Sequence, residues 1–205
     1  MSIDNKRKII DVTVALSLKN GFDSVSIKDI QEEAELSAGS IYYYFKDKNE
    51  ILSYMVEIYL KDGVRQLNKD LKNFDGSFIE KINFAFNYKA TSFFENKFDS
   101  SPYISTAQFN PKDYWVLAST VFHQHPEIRQ EFYEIHDDLY NLFYELIQEA
   151  IEKEAIREDI DIRTLVIFIQ TSLKGYLDLW MYQPDFSFEE IVDSNVKMIW
   201  EAIKK

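Results

Sequence analysis

Serine hydroxyls, a nearly bare helical turn, adjacent tyrosines and two lysines come together in residues 37–48, Ser-Ala-Gly-Ser-Ile-Tyr-Tyr-Tyr-Phe-Lys-Asp-Lys. Hydroxyls, backbone amides at a helix start and ammonium groups are the donors that hold phosphates. Ser37 is placed to cap a short helix by accepting from a free first-turn amide. Ala38, Gly39 and Ser40 leave that turn open to close approach by a phosphate or a base edge. Ile41 and Phe45, four apart, would fasten the helix to a small core. Tyr42, Tyr43 and Tyr44 offer phenol donors within about one turn. Lys46 and Lys48 close the segment with cations. The chemistry expected is contact with a DNA duplex.

The preceding residues supply the elements that must position this segment. Between Asn5 and Asn20, Ile9, Ile10, Val12, Thr13 and Leu16 fall on one side of a helical wheel. Gly21 sits where a left-handed backbone ends a helix. Ser26 and Asp29 form a capping-box pattern that opens a second helix through Ile27, Ile30 and Ala34. A turn at Glu35 and Leu36 leads into the Ser37 helix. Helix, helix, tight turn and short helix is the order of a helix-turn-helix, whose last helix lies in the major groove. Asp47 and Glu50 repeat the cap before a longer helix through Ile51, Leu52, Met55, Ile58 and Tyr59.

These residues resemble the TetR family of bacterial one-component regulators. The resemblance rests on Ile9-Ile10-Asp11, Asn20-Gly21-Phe22, Ser26 to Ile30 and Leu36 to Lys48, and covers roughly the first quarter of the chain. It departs at Glu35, where the family often has glycine, and at Ala38, where it often has a basic or polar residue. The resemblance implies a homodimeric, ligand-responsive regulator, most simply a repressor, that grips a palindromic operator and is released by a small, largely apolar or aromatic molecule. Ser37, Ala38, Gly39 and Ser40 would meet base edges or flank them, with Lys28, Tyr42, Tyr43, Tyr44, Lys46 and Lys48 on phosphates.

The chain carries −12, an unusual balance for a DNA binder. Residues 1–50 hold seven Lys or Arg against nine Asp or Glu, and residues 51–205 hold sixteen against twenty-six. The acid is thus concentrated away from the proposed DNA end. Lys6, Arg7, Lys8, Lys28, Lys46 and Lys48 are left for a local positive face.

Beyond residue 50 the punctuation is sparse. Asp75-Gly76-Ser77, Asp99 to Pro102, Asn110-Pro111, His125-Pro126, Asp159 to Arg163 and Gln183-Pro184-Asp185 separate helical stretches. No useful strand alternation occurs. The expected fold is all-α: a three-helix DNA-binding domain at 1–48 and a larger helical ligand-binding and dimerisation domain at 49–205. The last two helices are candidates for a dimer interface through Leu165, Ile169, Leu173, Gly175, Leu177, Val196 and Ile199. The resemblance implies that this interface is a four-helix one. With sixteen Phe and thirteen Tyr, the chain has ample material for an apolar cavity. Phe84, Tyr88, Phe109, Trp115, Phe122, Tyr140, Phe143 and Gln170 are the positions expected to line it.

Catalysis finds little support. There is no cysteine, and the histidines lack metal-ligand spacing: His123 and His125 are two apart, and His136 stands alone. No phosphate loop or nucleophile elbow is present. No catalytic residue, metal or cofactor is expected. The lack of a signal segment or membrane span points to the cytoplasm. Two other readings compete: a TetR-like protein-interaction factor using DNA as a scaffold, and a helical enzyme with a coincidental helix-turn-helix.

Overall fold

A computed structural model describes residues 5–88 and 111–205, and among them every regular element is helical, as expected. Phe109 lies outside the described residues. The elements are α1 (Asn5–Asn20), a 3-10 turn (Phe22–Ser24), α2 (Ile27–Ala34), α3 (Ala38–Tyr44), α4 (Lys48–Val56), a π turn (Glu57–Lys61) and α5 (Asp62–Asn73). Next come α6 (Phe78–Tyr88), α7 (Pro111–Gln124), a 3-10 turn (Pro126–Ile128), α8 (Arg129–Glu152), α9 (Ile162–Tyr182) and α10 (Phe188–Ile203). No helix among the described residues is long and apolar enough to cross a membrane.

Two units can be distinguished. The first contains the chain up to Gly63, together with α7 and the start of α8 as far as Tyr133. The head expected at residues 1–48 lies wholly inside it. The second contains α5 from Val64, α6, the rest of α8, α9 and α10.

In the first unit α1 is central. Ile9, Ile10, Val12 and Thr13 are buried as the wheel predicts, but Asp11, Val14 and Ser17 are buried too, and Leu16 is only partly covered. The reason is tertiary: α1 packs against α2, α3 and α4 and also against α7, so the run from Ile9 to Val14 is buried all round while both ends of the helix stay in water. Gly21 ends α1 at φ +79°, its amide bonded to Ser17 O at 2.8 Å. The capping box of α2 forms as its sequence requires: Ser26 Oγ accepts the Asp29 amide and Asp29 Oδ2 accepts the Ser26 amide. At α4, Asp47 Oδ1 accepts the Glu50 amide, while the Glu50 carboxylate reaches back to the amide of Lys46.

In the second unit Phe86, Phe143, Ile147, Ile169 and Ile199 form the interior. Tyr176 stacks on Phe86 at 5.5 Å and donates its hydroxyl to Phe86 O at 2.9 Å, joining α9 to α6. Burial pushes the Tyr176 phenol well up from its ordinary value, so it remains a neutral donor. Ser77 with Glu80, Asp161 with Thr164 and Ser187 with Glu190 cap α6, α9 and α10.

Candidate nucleic-acid interface

The turn before α3 holds a left-handed residue that is not glycine. Glu35 adopts φ +52°, and the amides of Glu35 and Leu36 return to Glu32 O and Gln31 O. This closes α2 and turns the chain through two residues into α3. Glu35 therefore makes the turn that glycine often makes in the family. Ser37 Oγ then accepts the Ser40 amide at 3.1 Å and lies 2.9 Å from Ser40 Oγ. Ile41 and Phe45 are buried and fix the helix to the core beneath.

The residues expected to contact DNA on α3 differ in exposure. Ser37 and Gly39 are exposed, Ala38, Ser40 and Tyr44 half-buried. Tyr42 is 56% and Tyr43 82% exposed, and Tyr43 is steadied edge-on by Tyr44 at 4.9 Å. A Cβ added at Gly39 would meet nothing nearer than Ser37 Oγ at 3.8 Å. The fold itself does not need a glycine there.

The cations divide differently from expectation. Lys46 is exposed, and Lys28 is exposed with a loose ion pair to Glu32 at 3.6 Å. Lys48, expected on a phosphate, is turned inward. Its Nζ donates to Phe22 O and Val25 O at 2.8 Å each and lies 4.3 Å from the centre of the Phe22 ring. Burial draws the Lys48 ammonium below the usual lysine value against the opposing pull of Asp23 and Asp29. The 3-10 turn leaves carbonyls pointing at one spot, and a cation there satisfies them. The expected positive face also loses Arg7, bound to Asp11 at 2.6 Å, and Lys6, which sits 3.6 Å over the Tyr54 ring.

The apolar residues predicted at a dimer interface are also placed inward. Leu165, Ile169, Leu173, Leu177 and Ile199 are buried in the second unit's own interior, and Val196 is half-buried. Periodic apolar spacing marks a buried face without saying what covers it. The exposed apolar groups of the same helices are others: Ile167, Phe168, Leu179 and Tyr182 on α9 and Met198 on α10. Gly175 lies exposed among them, and a Cβ there would meet nothing within 4 Å.

The predicted ligand residues are spread over both units. In the second, Phe84 lies against Phe74 and Tyr88 at 5.0 and 5.5 Å, Tyr88 donates to Asp70, Phe143 is core, Tyr140 stacks on Tyr144, and Gln170 reaches His136 O. In the first, Phe122 meets Phe132 and Tyr133, and Trp115 meets Tyr114. A shallow groove of about 140 Å³ in the second unit is lined instead by Leu71, Lys72, Lys81, Leu142, Glu145, Leu146 and Glu149. No group of His, Cys, Asp or Glu among the described residues is arranged to hold a metal.

The model of bacterial regulatory proteins of the tetR family matches residues 9–55, the span from α1 through α4 that builds this surface. Residues 9–55 form a DNA-binding head of the tetR-family type. Across most of its length the chain is 24% identical to the fatty acid metabolism regulator protein of Bacillus subtilis, covering 92% of the chain and 89% of that protein. It is 25% identical to the biofilm operon icaADBC negative transcriptional regulator IcaR of Staphylococcus epidermidis, over 89% of the chain and 85% of IcaR. In fold it matches the Bacillus subtilis regulator FadR, solved in complex with stearoyl-CoA, at a TM-score of 0.72 and 19% identity over 94% and 96% of the two chains.

Proposed function

We propose that this chain is a homodimeric transcriptional repressor that grips a two-fold operator with paired α3 helices and is released by a small apolar or aromatic effector. The observation that carries the reading is the outward surface of α3: a capped, uncrowded first turn beside two exposed tyrosines, on a helix locked from below by Ile41 and Phe45. Ser37 to Ser40 face base edges. Lys28, Lys46 and Tyr42 to Tyr44 hold phosphates, and Lys48 supports them from behind.

A single short helix reads few base pairs, so two must sit about 34–36 Å apart. The exposed stripe of Ile167, Phe168, Leu179, Tyr182 and Met198 supplies an apolar surface for a second copy. Gly175 within that stripe allows the close approach that no neighbour in the single chain explains. The domain division expected from sequence, DNA contact before residue 49 and effector binding with dimerisation after it, belongs to this reading, as does a place in the cytoplasm beside the chromosome. Long-chain acyl thioesters are the first effector class to examine, given the name of the Bacillus subtilis relative and the stearoyl-CoA in the FadR structure.

The test begins with selection of duplexes retained by the full-length protein from random DNA at low ionic strength. Tyr43→Ala is expected to weaken the selected operator about tenfold, the loss of one charge-assisted phosphate contact and its stacking area. Stearoyl-CoA is then titrated into the complex. Retention of no duplex by the wild-type protein overturns the reading, and release by stearoyl-CoA at micromolar concentration assigns the effector class.

A further inference from the structure

The helical run Lys48–Asn73 is interrupted by one π turn, in which the amide of Asp62 bonds to Glu57 O, five residues back instead of four. A π turn holds one more residue than the α-helix around it needs. Such turns persist where the surroundings impose them. Nothing in Glu-Ile-Tyr-Leu-Lys demands one: the segment has no proline, glycine or pair of serines.

The imposition is visible at Tyr59, which is held from two sides. Its hydroxyl donates to Asp11 Oδ1 at 2.5 Å, and Asp11 in turn accepts from Arg7 Nε at 2.6 Å. The guanidinium lies 5.4 Å from the Tyr59 ring centre. These groups tie the turn to α1, the central helix of the head. From the opposite element, α7, the Tyr114 hydroxyl donates to the Tyr59 backbone carbonyl at 2.6 Å. Tyr114 is 4% exposed, and burial holds its phenol far above the ordinary value, so it stays a neutral donor. A side-chain donor on a carbonyl inside the turn competes with the ordinary ladder and favours the five-residue spacing.

We propose that Tyr114 is a positioning residue for DNA binding: by holding the π turn at Tyr59 it fixes Asp11 and Arg7 in α1 and so the presentation of α3. A shift of α7 along its axis carries the hydroxyl off the carbonyl. The turn then loses the contact that keeps its extra residue, and a one-residue step in a helix is about 1.5 Å and 100°. The relay is therefore discrete. It deepens the effector-released reading above and rests on it, because α7 also carries Trp115 and Phe122, two of the candidate effector contacts.

The experiment compares full-length wild type, Tyr114→Phe and Tyr176→Phe. Tyr176 is a matched control: it too donates a buried hydroxyl to a backbone carbonyl, Phe86 O, but in the second unit. Both variants are expected to lose similar thermal stability. Only Tyr114→Phe should raise hydrogen exchange at the Asp62 amide, by about tenfold, and weaken the selected operator by about fivefold or more. Wild-type exchange and affinity in Tyr114→Phe overturn the relay, as does an equal loss of affinity in Tyr176→Phe. Exchange at Asp62 is read without DNA, so a wild type that retains no duplex defeats the repressor reading while the π-turn assignment is still decided.

Discussion

Helix α3 and the helical pair α9 and α10 both leave large side chains in water, but of different kinds. On α3 the exposed groups are tyrosines with free hydroxyl ends, beside a serine-capped turn and Lys46. On α9 and α10 they are chiefly Ile167, Phe168, Leu179 and Met198, with Tyr182 at one end. The first surface gains by meeting an anionic, hydrogen-bonding partner. The second gains only by meeting another apolar surface. In the proposed reading both are contact sites, and the polarity of the exposed atoms separates a nucleic-acid partner from a protein one.

The largest expected effect breaks the second surface. Phe168 is 46% exposed, so Phe168→Asp leaves the monomer folded while placing a carboxylate in the proposed interface. The dimer dissociation constant should rise by about a hundredfold, or roughly 2.7 kcal/mol, as for a central interface aromatic. Sedimentation reads this directly, and operator retention should fall with it. Unchanged sedimentation would clear this face of any role in self-association.

A smaller effect sharpens the first surface. Lys48→Met should lower stability by about 1 kcal/mol, through loss of its bonds to the Phe22 and Val25 carbonyls. The salt dependence of operator binding should keep its slope. Lys46→Met should do the reverse, leaving stability alone and reducing the slope by about one. A flattened slope in Lys48→Met would return Lys48 to the phosphates.

The smallest effect concerns the turn between α2 and α3. Glu35→Gly removes the left-handed strain at φ +52° and should stabilise the chain by about 0.5–1 kcal/mol in urea unfolding, with operator affinity unchanged. Lower stability in that variant would mean that glycine's freedom in the unfolded chain outweighs the strain.

Local signals in the sequence hold in the structure where the partner lies within a few residues. The Ser26–Asp29 box, the Ser37 cap and the Ile41 and Phe45 anchors each depend on three- and four-residue spacings, which the chain states outright. Lys48 lies away from its expected place because its partners are carbonyls of a turn more than twenty residues earlier, and a lysine looks the same whether it faces a phosphate or a peptide oxygen. Most of the residues expected at a dimer interface lie in the second unit's interior, because an apolar stripe spaced for a helix describes a monomer core and an interface equally well. The exposed remainder, from Ile167 to Met198, emerges only once the core is filled.

The order of residues by itself determined an all-α fold, the caps and turns of the head, and a third helix with a bare start and outward tyrosines. These depend on backbone geometry and side-chain chemistry over one or two turns. Tertiary structure alone decided that the middle of α1 is buried all round, that Lys48 points inward, and that Tyr59 is held between Asp11 and Tyr114. Each of these is set by a partner distant along the chain, whose approach no local pattern records.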